Sequence, residues 1–133
     1  MAGKERYILG YQAEWLVLNH FRKAGWLCFR LLQSGRYGTT SYPDIVCLDP
    51  IPAVIEVKST SSEPRVQVSK EDVEKLARLV REPNILGAFA FVYKMDGLIC
   101  LCPLDWVFER LKGLRRAKVH RDEARLYCSC WRY

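Results

Sequence analysis

Two short apolar runs, Ile45-Val46-Cys47-Leu48 and Ala53-Val54-Ile55, are separated by Asp49-Pro50-Ile51-Pro52. Proline fixes φ and cannot donate to a ladder, so the pair of runs reads as a β-hairpin closed by a tight turn. Ionisable residues sit at its open end. Pro43-Asp44 leads into the first run, and Glu56-Val57-Lys58 closes the second. Side chains alternate along a strand, so Glu56 and Lys58 share one face while Val57 points the other way, into a core. Charges at the end of an otherwise buried strand cost free energy unless something binds them. A divalent cation and a phosphate would.

That chemistry is concrete. Phosphodiester hydrolysis needs a nucleophilic water, relief of charge on the phosphoryl oxygens, and help for the leaving oxygen. Mg²⁺, with Mn²⁺ as a substitute, supplies all three when carboxylates hold it with one side open. Asp44 and Glu56 are the expected ligands, with the Val57 carbonyl as a third oxygen. Lys58 would orient the attacking water or neutralise developing negative charge. The competing structural reading is an aspartate in a turn beside an exposed Glu/Lys pair.

The rest of the chain accommodates a sheet around the hairpin. Its 133 residues suffice for one core, so we expect a single domain over 1–133. No apolar run approaches the roughly 18 residues of a membrane span, and the N-terminus lacks a signal-peptide core, which predicts a cytoplasmic protein with no membrane partner. A net charge of +6 is compatible with a polyanionic partner. Helical spacing runs from Gly10 to Ala24 with Tyr11, Trp15, Leu18 and Phe21 on one face, and residues 1–9 either extend this helix or form a loose arm. Gly25 stands where a helix C-cap belongs, followed by a strand over 26–32 and a polar loop. Residues 59–68 read as a polar connection. Ser69 with Asp72 approximates a capping box for a helix reaching about Glu82, where Pro83 stops it. Strands over 86–93 and 98–102 flank a Met95-Asp96-Gly97 turn, a short helix runs to Lys112, and a last strand spans 126–131. The expected class is mixed α/β, a mixed sheet flanked by helices in the order α-β-β-β-α-β-β-α.

These motifs together resemble the PD-(D/E)xK nuclease superfamily, whose core is restriction-endonuclease-like, and within it the archaeal Holliday junction resolvases. Pro43-Asp44-Ile45-Val46 and Ile55-Glu56-Val57-Lys58 are similar to the core motif. Gly10-Tyr11-Gln12-Ala13-Glu14 looks like the family's first helix, Ala24-Gly25-Trp26 like its end, and Arg30 and Ser34-Gly35 fall at the family's spacing. The resemblance covers roughly residues 7–93. It implies Glu14 as a third acidic residue at the metal, Arg30 as a phosphate clamp, and Ser34 as an organiser of the metal or scissile phosphate. It implies branched DNA as substrate, no small-molecule substrate, and a homodimer, because a junction is cut symmetrically on two strands. Residues of the 86–93 strand, the helix over 104–112 and Trp106 are candidates for the dimer surface. One position departs: family members often carry a basic residue after the helix glutamate, and here it is Trp15. A phosphate contact made there is absent or comes from elsewhere, with Lys4, Arg6 and Arg36 as candidates. Two alternatives stay open: a related nuclease acting on flaps, nicks or duplex, and a catalytically silent DNA-binding module.

Three features remain. Arg110 to Arg125 holds seven Lys or Arg against two acids, which is either a solvated face or a patch gripping phosphates without reading bases. Arg36 and Arg65, on loops nearer the site, could act likewise. Cys100/Cys102 and Cys128/Cys130 each share a strand face, and buried free thiols are the expectation, with disulfides between the segments or a zinc site as alternatives. The scarcity of amides (Asn19, Asn84, Gln12, Gln33 and Gln67) is a compositional mark of hyperthermophiles, in which cytosolic disulfides do occur. His20 and His120 have no partner motif and read as incidental.

Overall fold

In the computed structural model, which describes residues 2–31, 42–81 and 84–133 with side chains from residue 12 onward, the chain opens with α1 (Ala2–Lys23), β1 (Leu27–Arg30), β2 (Ile45–Asp49) and β3 (Ala53–Thr60). It continues through β4 (Arg65–Ser69), α2 (Lys70–Leu79), β5 (Leu86–Tyr93), a 3₁₀ turn (Lys94–Asp96) and β6 (Leu98–Pro103). It closes with α3 (Leu104–Leu111), β7 (Arg116–His120), α4 (Arg121–Tyr127) and β8 (Ser129–Arg132). The expected elements are present, except that the last strand begins only at Ser129 because Leu126 and Tyr127 close α4, and residues 2–9 extend α1. Among the described residues no helix is long and apolar enough to cross a membrane.

The main sheet has six strands in the order β1-β2-β3-β5-β6-β8. Among the described residues only β3 and β5 pair in parallel, and the crossover between them contains α2. The hairpin sits where expected, with Ile45 opposite Ile55 and Cys47 opposite Ala53 across a cis Asp49–Pro50 bond. Alternation splits the core into two layers. Ala90 and Val92 of β5 join Ile45, Cys47, Ala53 and Ile55 under the α1 residues Ala13, Val17, Leu18 and Phe21. Phe89, Phe91 and Tyr93 face the other way, against Val73 and Leu76 of α2 and Val107 and Leu111 of α3. The buried face of α1 is thus turned slightly from the expected one: Leu18 and Phe21 lie on it, and Trp15 lies at its edge.

Local chemistry explains the boundaries. Gly25 takes φ +90°, its N–H reaches Arg22 O, and Trp26 N–H reaches Phe21 O, a Schellman stop that returns the chain into β1. Ser69 caps α2 in a complete capping box with Asp72. The helix ends at Leu79, earlier than expected, and Glu82 and Pro83 lie outside the described residues.

Two expectations need correction. The connection over 59–68 contains β4, and the basic run contains β7 and the start of α4. These two strands form a separate ribbon, with Val66 opposite Val119 and Gln67 opposite Lys118. Val66, Val68 and Val119 turn inward, and the buried Tyr93 hydroxyl donates to Val119 O at 2.9 Å, tying the ribbon to the main sheet. The cysteines are not free thiols. Disulfides join Cys28 to Cys47, Cys100 to Cys130 and Cys102 to Cys128. Cys28 faces Cys47 across β1/β2, and Cys100 faces Cys130 across β6/β8, so strand register brings each of these pairs together. Zinc is excluded at those four sulfurs by the same bonds.

Candidate active site

The strands of the hairpin end unevenly. The pairing of β2 with β3 begins at Ile45–Ile55, whereas β3 runs on to Thr60. Past Ile55, that edge of β3 has no β2 partner and is met by Asp44. Its carboxylate Oδ2 accepts the Val57 N–H at 2.8 Å, and its carbonyl accepts Leu31 N–H at 3.0 Å. In an extended residue N–H and C=O leave the strand on the same side, so the Val57 carbonyl also faces this notch. The Val57 side chain packs on the opposite, α1-side layer, as alternation demands.

Glu56 projects into the α2 side of the sheet and is 3% exposed, a buried charged residue amid a hydrophobic interior. Its Oε2 meets the Lys75 ammonium at 2.7 Å. Its Oε1 is buried and receives no hydrogen bond from any described residue. Asp44 is its carboxyl neighbour, and the two acids act on each other's ionisation. Burial, then the Asp44 charge, pushes the Glu56 carboxyl up to about 7 against the opposing pull of Lys75. Burial also raises Asp44, with the Glu14 charge adding to it.

Glu14 reaches the same end of the sheet from α1. It pairs with Arg30 at the end of β1, Nε to Oε1 at 3.0 Å. Its carboxyl is raised by burial, with Arg30 opposing and the charge of Glu56 adding. Three acids are therefore crowded enough to raise one another. Among the described residues no three His, Cys, Asp or Glu side chains already form a closed ligand cluster. The donors that do converge, Asp44, Glu56 and the Val57 carbonyl, are all oxygens, and one buried carboxylate oxygen has no donor. That set fits a hard divalent cation.

Lys58 lies two residues along β3 on the Glu56 face. Its ammonium meets Asp72 Oδ1 at 2.9 Å, while Asp72 Oδ2 accepts from the Ser69 N–H and hydroxyl. Burial alone would raise Asp72, but Lys58 and the Ser69 donors outweigh it and hold the carboxyl below its usual range. The structure thus brings together Glu14, Arg30, Asp44, Glu56, Val57 and Lys58. Arg65 stands apart on the outer face of the ribbon. Ser34 and Arg36, and the side chains of Lys4 and Arg6, lie outside the described residues.

Lys75 escapes sequence reasoning, and Asp72 appears there only as a capping residue. The readable signal was a sign pattern: Glu-x-Lys on a strand mirrored by Asp-x-x-Lys on the following helix. Two residues on a strand and three on a helix each share a face, so the charges meet crosswise once α2 packs over β3.

A restriction-endonuclease-like sheet with carboxylates gathered at the ragged end of its central hairpin is the architecture of the PD-(D/E)xK nucleases. The family model for archaeal Holliday junction resolvases, Hjc, matches residues 5–123. The chain belongs to that family. Among solved structures, the 1.6 Å structure of Hjc from Archaeoglobus fulgidus, a Holliday junction resolvase from an archaeal hyperthermophile, matches with a TM-score of 0.70 at 23% identity. The match covers 88% of this chain and 93% of that one, and at this identity it speaks for the fold. No curated relative matches.

Proposed function

We propose that this chain is a Mg²⁺-dependent endonuclease that resolves four-way DNA junctions by paired, symmetric cleavage. The observation that carries the reading is the buried Asp44–Glu56 pair, one of whose oxygens lacks any described donor, with Lys58 beside it. A binding module has no use for acids held at this cost. A bound divalent cation would supply Lewis-acid polarisation of the phosphoryl group and an activated water. The chain's own residues do the rest. Asp44 and Glu56, with the Val57 carbonyl, hold the cation, and Glu14 lends charge from α1. Lys58 orients the attacking water or meets the charge developing on phosphorus. Arg30 offers its planar fork to a phosphate, exchanging Glu14 for it. Ser34 and Arg36 keep the roles of organising the scissile phosphate and tracking the backbone.

Recognition would be by backbone shape and charge. Arg65, Gln67, Arg116 and Lys118 are exposed on the outward face of the β4–β7 ribbon, which leads from the end of β3 toward α2. The basic run thereby divides. Arg121 grips Asp96 with two bonds, at 2.8 and 2.9 Å, and Arg110 pairs with Glu123, so both hold the fold together. Arg116 and Lys118 remain on the same outer face as Arg65, Lys118 in an exposed pair with Glu63 at 3.5 Å. Of the surface expected for a dimer, Gly87 to Tyr93 and the inward residues of α3 are interior, whereas Leu86 and Phe108 are exposed and Trp106 is half-buried, its ring tilted against that of Tyr127; Leu126 and Tyr127 are exposed beside them.

The test is cleavage of a junction that cannot branch-migrate, mapped on all four strands, alongside matched flap and linear duplex. Symmetric paired cuts in the junction, stopped by EDTA and restored by Mg²⁺ or Mn²⁺, are expected. Asp44→Asn and Lys58→Ala should abolish cleavage while junction affinity changes little. Equal cutting of all three substrates would sink the resolvase reading, and normal cutting by either variant would sink the site.

A further inference from the structure

Glu56 and Lys58 are each already neutralised by α2, but unequally. Asp72 is fully committed: one oxygen serves Lys58 and the other serves Ser69 at the helix cap. Among the described residues Lys75 pairs only with Glu56 Oε2, from a position 22% exposed on a flexible four-carbon stem. An ammonium with a single partner and a path to solvent is able to leave. An aspartate built into a helix cap is not.

We propose that Lys75 is the resident counter-ion of the metal-free site and sets its affinity for divalent cations. Its positive charge holds the buried Glu56 aimed at the notch when no metal is there. It also stands across one carboxylate from the place where a cation would sit, so loading the site requires the ammonium to give way or to tolerate a like charge close by. Inside a partly buried site such repulsion is weakly screened. Lys75 is therefore a positioning residue that acts through Glu56, with no role in the reaction itself. The consequence is a site kept in order without metal, at the expense of a higher metal requirement. The surrounding charges agree with this assignment. Facing Lys75 and Glu56 are Asp44 just before β2, Lys58 on β3 and Asp72 on α2, and Lys58 is already held by Asp72.

This inference rests on the cation site proposed above, so its test reads binding and not cleavage. Calorimetric titration of the metal-free protein with MgCl₂ at pH 9, where carboxylates are ionised, compares wild type with Lys75→Met and Lys75→Gln. Both variants should bind Mg²⁺ more tightly, by about tenfold for the removal of one competing charge. Lys75→Arg, which keeps the charge, should bind like wild type. Melting curves in EDTA accompany each variant, and either neutral substitution that folds suffices. Unchanged or weaker binding by the folded neutral variants would overturn the proposal, as would Lys75→Arg behaving like them. A purely structural lysine would lower the melting temperature and leave the Mg²⁺ affinity alone. Failure of the junction-resolving reading shows elsewhere, as absent or unselective cleavage by the wild-type enzyme.

Discussion

Glu56 carries a heavy electrostatic burden, buried beside a second carboxyl. Its carboxyl sits at about 7 in the folded, metal-free chain against an ordinary value of 4.5. A raised acid means that the folded state holds its proton longer than the unfolded state does. The associated stability is complete below the unfolded value and is lost as pH rises through the folded one. The metal-free protein should therefore melt at progressively lower temperature between about pH 5 and pH 7. Asp44 and Glu14, also raised, act in the same direction, whereas the lowered Asp72 acts at more acidic pH. Glu56→Gln should be more stable than wild type at pH 8 and should show a shallower slope. Melting temperatures in EDTA across this range check the claim, and a wild-type curve that rises with pH would refute it. At this scale much was legible in the sequence. Asp44, Glu56 and Lys58 announce themselves by opposite-sign charges ending apolar runs. Lys75 does not, because a lysine on an amphipathic helix looks the same whether it faces water or a buried acid.

At the scale of elements, the β4–β7 ribbon is the part that sequence reasoning passed over. Arg65-Val66-Gln67-Val68 alternates correctly for a half-buried strand, but the run is short and polar, and its partner follows only after α2, β5, β6 and α3. Local pattern does not reveal a partner that distant. The basic run likewise masks Ala117 and Val119, which point inward on either side of Lys118. The consequence for binding is testable. Junction affinity should fall steeply with salt, and Arg65→Ala and Lys118→Ala should each reduce the slope of log K against log[salt] by about 1, with equal weakening on any sequence. Fluorescence anisotropy with an EDTA-treated, uncleaved junction measures it. An unchanged slope in the double variant would place the phosphate contacts elsewhere. The capping box of α2 was legible beforehand, yet its larger role was not: the cap residue Asp72 is also the anchor of Lys58, which makes the start of α2 part of the site.

Taken whole, the chain has one site and a junction has two strands to cut. Leu126 and Tyr127, 73% and 64% exposed, lie with Leu86 along one flank, and an apolar surface of this kind is costly in water. If two copies meet there, sedimentation should give twice the mass of the 15.5 kDa chain, and Leu126→Asp or Tyr127→Asp should give monomers. Those monomers should nick single strands of a junction without pairing the cuts. A monomeric wild-type protein at assay concentration would remove the dimer from the account. The sheet order was within reach of the sequence because its central hairpin and the long apolar β5 are unmistakable. The pairing of the cysteines was not, since it depends on the register of β1 against β2 and of β6 against β8.

One of those pairings bears on how later experiments will be read. Cys28 and Cys47 are joined, and Arg30 and Asp44 lie a short step along the same two strands, toward the site. The chain between Leu31 and Tyr42 thus leaves and returns at two points whose spacing is locked by a covalent bond just beneath them. Neither strand can slide to absorb a change in the intervening segment while that bond stands. A Ser34 variant that binds DNA but no longer cuts would then report on the chemistry of the missing hydroxyl, because the register that carries Asp44 to the proposed cation site has no freedom to slip.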